Sequence, residues 1–199
     1  MSTQLHQLTV KYLPAEDRIL LRIGTSAKTE YRLWLTRRFI AALWPSLGGQ
    51  LAETADVQAL RRPAAVPQDG PVGKSAAPEP PQTKPPVTPE VREALLGMEH
   101  QTAIDQSDFS KTHEEDNVDL TANTGPMMVT GAKVKPWDGK RLVMGLQTQN
   151  GSNITVTLDK KLLHGFCHMI STTVHKAGWG LNLAIGDPAQ AAAPTRAIH

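Results

Sequence analysis

Apolar and polar positions alternate through the first part of the chain. Leu8, Val10 and Tyr12 are separated by polar residues, and after the turn-forming run Pro14-Ala-Glu-Asp17 the alternation resumes at Ile19, Leu21 and Ile23. A polar stretch near Ser26 leads into Tyr31, Leu33 and Leu35, which line one face while Arg32 and Trp34 line the other. A period of two belongs to a strand with one face buried, so three strands are predicted. The hydroxyl of Thr36 is placed to cap a helix, and Phe39, Ile40, Leu43 and Trp44 follow at helical spacing. Pro45 and the Gly48-Gly49 pair are expected to end that helix.

The same series returns near the other end. Leu142, Met144 and Leu146, then Ile154, Val156 and Leu158, alternate again, with the turn dipeptides Asp138-Gly139 and Asn150-Gly151 beside them. Asp159 takes the capping position, and a helix is predicted over 160–176, closing at His175-Lys176 before Gly178. Arg18 to Thr25 reads onto Arg141 to Thr148, and Tyr31 to Ile40 onto Ile154 to Leu163, at one constant offset. In the first strands Leu8, Val10 and Tyr12 run out of phase with Ala132 and Val134, as they would if the neighbouring turns differ by a residue. A self-repeat sets the architecture. The fold class expected is α+β: two tandem β-β-β-α units paired about a pseudo-twofold, forming antiparallel sheets with helices on one face. Trp179, Leu181, Leu183 and Ile185 continue to alternate and predict an extra C-terminal strand.

Five segments follow. Residues 1–51 form the first unit. Residues 52–88 are rich in Pro, Ala and Gln with few large apolar side chains, a composition that cannot repay the entropy of ordering, so a disordered linker is expected. Residues 89–125 open with a helix whose first position is Pro89. Val91, Leu95 and Met98, joined by Ala94, form an apolar stripe on it, and an acidic stretch follows. Residues 126–186 form the second unit with its extra strand, and 187–199 a flexible tail.

Charge sharpens this division. The formal net charge of +2 conceals blocks: nine basic against five acidic residues over 1–65, two against nine over 89–125, and eight against three over 126–199. An acidic arm between two basic bodies suits interaction or self-association. Cys167 is the single cysteine, so no internal disulfide can form, which fits a reducing compartment. Without a signal-peptide pattern, or an apolar run of the roughly 18 residues a membrane span needs, a cytoplasmic protein with no membrane partner is expected.

Candidate chemistry is sparse. His164, His168 and His175 fall together on the second helix, opposite a face carrying Leu162, Phe166, Met169, Ile170 and Thr173. His164 and His168, one helical turn apart, are weak candidates for metal ligands, against the plainer reading of a histidine-rich solvated face. Arg37-Arg38 and Lys160-Lys161 follow the two helix caps and could straddle a phosphate backbone, with Arg18, Arg22, Arg32 and a stacking Trp34 nearby. Cations there oppose the helix dipole unless something anionic compensates, and the acidic segment could do so internally. Gly70-Pro-Val-Gly-Lys74-Ser75 ends like a phosphate-binding loop but lacks its upstream glycine and its strand–turn–helix setting. Neither a zinc-protease motif nor a nucleophile elbow is present. No catalytic residues and no cofactor are expected.

Glu16-Asp-Arg-Ile-Leu-Leu-Arg22 and Glu30-Tyr-Arg-Leu-Trp-Leu-Thr-Arg-Arg38 resemble a family of uncharacterised proteobacterial proteins, over the first unit only. The resemblance implies a bacterial origin and carries no activity. The function expected is therefore that of a non-catalytic adaptor or regulatory subunit. Val91, Leu95, Met98 and Trp34 would contact a protein partner. The alternative is nucleic-acid binding through Arg37, Arg38, Lys160 and Lys161, modulated by the acidic segment.

Overall fold

The computed structural model describes residues 5–55, 88–109 and 125–185, with the backbone of 118–119. Most of the expected linker, most of the acidic run and the tail lie outside the described residues.

Strands β1 (Leu5–Leu13), β2 (Arg18–Thr25) and β3 (Thr29–Leu35) form an antiparallel meander leading into helix α1 (Arg37–Glu53). Helix α2 (Pro89–Asp105) and a two-residue strand β4 (Val118–Asp119) precede a second meander. It consists of β5 (Met127–Val134), β6 (Arg141–Thr148) and β7 (Asn153–Asp159), and ends in α3 (Lys160–Lys176). The capping residues act as their chemistry dictates. Thr36 Oγ1 accepts from the Phe39 amide at 3.2 Å and Asp159 Oδ1 from the Leu162 amide at 2.8 Å.

All the strands belong to one mixed sheet of order β1-β2-β3-β5-β6-β7, with β4 beside β3. The purely antiparallel arrangement expected from the sequence is corrected along one edge of β3, where Leu33 and Trp34 pair in parallel with Met127 and Met128 of β5, and Thr29 and Glu30 with Val118 and Asp119 of β4. The chain leaves β3 into α1 and returns only after the long insert. It can therefore re-enter in the same direction, as parallel pairing requires. α3 packs on both β7 and β1, the two ends of the strand order, so the sheet curls around its helices. A single core results: Ile19, Leu21, Leu33 and Leu35 from the first meander bury with Leu142, Met144, Leu146 and Leu158 from the second.

Two local expectations change. α1 passes through Pro45 and the glycine pair to Glu53, two residues beyond the boundary at 51. Proline removes one helical hydrogen bond, while Leu47 and Leu51, each 1% exposed, hold the last turns to the core. The extra strand over 179–185 does not form. Trp179 and Leu183 are buried in alternation as predicted, yet the segment pairs with no strand among the described residues. Gly178 and Gly180 both take left-handed φ, 65° and 61°, which breaks an extended run. Side-chain bonds fasten the segment instead: Trp179 Nε1 donates to Asp17 Oδ1 at 2.8 Å and Ser171 Oγ to the Leu183 carbonyl at 3.3 Å.

The repeat is visible in part. β1 and β5 each carry a register shift at a matching place, between Leu5 and Gln7 and between Val129 and Gly131, opposite Thr25 and Thr148. α1 packs on β5 and α3 on β1, each helix against the other unit's first strand. Val10 pairs with Leu21 but Val134 with Met144, so the second connection is one residue shorter. That missing residue accounts for the phase difference between the first strands. Among the described residues α2 and β4 have no counterparts.

Candidate functional site

α2 lies on the body by one side only. Leu96, 4% exposed, is its single buried residue, with Glu99, His100 and Ala103 half-buried along the same stripe. This face is one residue out of step with the predicted stripe. Leu95 is half-buried, and Val91 and Met98 point away from the body, 45% and 70% exposed. Phe109, just beyond α2, and Leu162, at the start of α3, are the other exposed large apolar side chains among the described residues. All four therefore sit on α2, its continuation, or the first turn of the helix it packs against.

Polar contacts join the two helices. Lys160 Nζ lies 2.9 Å from Glu99 Oε2, and Lys161 Nζ donates to the Gln106 carbonyl at 2.7 Å. The cations that oppose the dipole at the α3 N-terminus are thus met by a carboxylate and by a carbonyl at the negative end of α2. Arg37 and Arg38 stand exposed at the start of α1. On the sheet, Glu30 is 1% exposed and clamped from two sides. Arg22 binds both its oxygens, at 2.8 and 3.0 Å, and Arg32 Nε reaches Oε1 at 2.7 Å. Trp34, half-buried, faces away from Leu33 and Leu35, in register with Leu20 of β2 and Met128 of β5. It does not share the α2 surface.

Beneath α2 the histidines form a seam that the helical wheel misplaced. His164 is fully buried, not on a solvated face, and Leu162 is the residue turned outward. Because α2 covers that side of α3, the α3 helix is buried over a wider arc than a helix lying on a sheet alone. Thr54 Oγ1 donates to the Leu51 carbonyl at 2.6 Å, which leaves it to accept from His164 Nε2 at 3.2 Å. The remaining nitrogen, His164 Nδ1, then accepts from His100 Nδ1 at 3.0 Å. Burial, reinforced by the His100 and Lys160 charges, lowers the His164 pKa to about 4, and burial with the His168 charge lowers that of His100 to about 4. His168 is half-buried, with its ring 6.1 Å from His100 and 5.2 Å from Phe109. Among the described residues, no set of three or more His, Cys, Asp or Glu side chains could hold a metal ion. Burial pushes the Cys167 thiol up to about 12, so it behaves as a small apolar core residue.

His100, Glu99 and Thr54 were missed by the sequence reading. The signal available was the i, i+4 spacing of Leu96 and His100, masked by the stronger apolar trio at 91, 95 and 98.

No family model, curated protein or solved structure matches the chain. Among the described residues no helix is long and apolar enough to cross a membrane.

Proposed function

We propose that this chain is a non-catalytic interaction protein, an adaptor or regulatory subunit of the cytoplasm, whose partner-binding surface is the outward side of α2. The observation that carries this reading is the orientation of the helix. Leu96, Glu99 and His100 fix α2 to the body, and this leaves Val91 and Met98 as exposed apolar side chains on a supported helix. Met98 is unbranched and polarisable, suited to an apolar surface on a protein partner. A helix already ordered on its own body loses little entropy on binding. Leu95, the third residue of the stripe, is half-buried.

Nucleic-acid binding draws less support. Lys160 and Lys161 are engaged by α2, Lys161 while still exposed, and Arg22 and Arg32 by Glu30, whereas Arg37 and Arg38 stand exposed at the start of α1.

Affinity capture from the native host tests the reading, comparing the natural chain with a Val91→Asp, Met98→Asp variant after nuclease treatment. Both residues face outward, so the fold is expected to survive. The expected outcome is loss of a protein partner in the variant, with at least a tenfold weaker Kd (about 1.4 kcal/mol) in a purified pair. An unchanged partner set would remove this surface from consideration, and nuclease-sensitive capture would favour Arg37 and Arg38.

A further inference from the structure

Helix α2 contributes one residue, Leu96, to the buried core and packs chiefly on α3 and α1. Polar contacts hold the rest of its inner side: Glu99 to Lys160, the Gln106 carbonyl to Lys161, and His100 to His164. Phe109 continues the cover, its ring 3.8 Å from where a Cβ on Gly165 of α3 would stand. The helix and Phe109 form a strap across α3, fastened by one leucine and by contacts that depend on charge and protonation.

Protons act on one side of His164 and spare the other. Thr54 accepts from His164 Nε2, and that N–H is present whether the ring is neutral or charged, so the link to α1 survives protonation. The link to α2 does not. His100 Nδ1 and His164 Nδ1 lie 3.0 Å apart with one hydrogen between them; a first proton can enter at His100 Nε2, but a second must enter at His164 Nδ1 and removes the acceptor. Among the described residues, the charged groups acting on the pair are Glu99 of α2, through its ion pair with Lys160, and Lys160 and His168 of α3. From α1 the pair meets the uncharged Thr54, and beyond α2 the apolar Phe109 lies against His168. Burial above all, then the neighbouring positive charges, holds both docked rings at about 4.

We propose that α2 with Phe109 is an acid-released latch: protonation of both His100 and His164 frees α2 from α3 and α1 as a unit, while the sheet, α1 and α3 stay folded. Release uncovers His164, Gly165 and His168 on α3, and it turns Leu96 out to solvent. The device concerns how α2 is held, so it stands whatever the outer side of α2 binds. Released rings regain the ordinary 6.5, and between that value and about 4 they bind protons that the docked rings refuse. Docking is therefore complete above about pH 6.5 and weakens as pH falls toward 4. One histidine shifted this far raises the ratio of released to docked helix about thirtyfold by pH 5, and the coupled pair raises it further.

Hydrogen exchange on the full chain between pH 7 and pH 5, expressed as protection relative to an unstructured peptide at the same pH, tests this. The α2 amides are expected to lose protection about thirtyfold or more, and at each pH to be about tenfold or more less protected than those of β2, β6 and α3. Equal protection of α2 and the body throughout would mean that opening is global, and an α2 still protected at pH 5 would mean that protons do not release it; either result overturns the proposal. His100→Asn places an amide where Nδ1 stood, able to donate to His164 or, turned over, to accept from it. Its α2 is expected to stay docked with the pH dependence cut about fivefold or more. Retention of the natural dependence would remove the histidine pair as the trigger and overturn the proposal. Imidazole nitrogen shifts of the natural chain need no variant: both rings are expected to become charged as α2 loses protection, and both charged with α2 still protected would overturn it too.

Discussion

Thr54 does more than close α1. Its hydroxyl proton is committed to the Leu51 carbonyl, which forces His164 to donate through Nε2 and to present Nδ1 as an acceptor to His100. The arrangement works with both rings neutral and fails when both are protonated, since two N–H groups would then face each other across 3.0 Å. Both histidines titrate near 4 in the folded chain, below the ordinary 6.5. Between those values the unfolded chain binds more protons than the folded one, so stability is fully present above about pH 6.5 and falls as pH drops toward 4. The expected loss by pH 4 is about 2–4 kcal/mol, less than two independent sites would give because the rings are coupled. Denaturant unfolding at pH 7, 5.5 and 4.5 measures it, with His100→Gln as the comparison. If that variant kept the natural slope, the histidine seam would not be its source.

At the scale of the element, local chemistry was readable and neighbours were not. Thr36, Asp159 and Pro89 announce three helix starts, and in the structure Thr36, Asp159 and Thr88, the residue before Pro89, each accept a hydrogen bond from an amide of the first turn. Strand alternation at 19–23, 142–146 and 154–158 separates inward from outward positions correctly. α2 was harder to read because its composition supports two apolar faces, and only the packed body decides between them. Val91, Leu95 and Met98 are the more regular trio, but Leu96 is the residue with Glu99 and His100 at the spacing that reaches Lys160 and His164. Leu96→Ala is therefore expected to weaken α2 docking by about 2–3 kcal/mol, whereas Leu95→Ala costs well under half of that. Limited proteolysis between α1 and α2, alongside exchange rates for the α2 amides, distinguishes the two. Equal effects from both variants would mean that α2 docks by another face.

For the whole molecule, the repeat was legible as a pattern of strands, and its arrangement was not, because alternation identifies faces without saying which strands adjoin. The parallel seam rests on Leu33, Trp34, Met127 and Met128, whose types favour no particular partner. The shared core carries its own prediction. Ile19 and Leu33 bury in the same cluster as Leu142 and Leu158, and α1 and α3 each pack on the other unit's first strand, so neither unit has a core to itself. Thermal unfolding is expected to be one transition with equal calorimetric and van't Hoff enthalpies, and Leu33→Ala and Leu142→Ala should each lower its midpoint. Two separable transitions would contradict a common core. The seam also dictates a timetable for the chain as it is made. β3 leaves the ribosome long before Met127 does, and translation at ~5–20 residues per second leaves its edge uncovered for on the order of 5–20 s. Throughout that interval the nascent first meander displays Tyr31, Leu33 and Trp34 along an open strand, a natural substrate for the chaperones that attend synthesis.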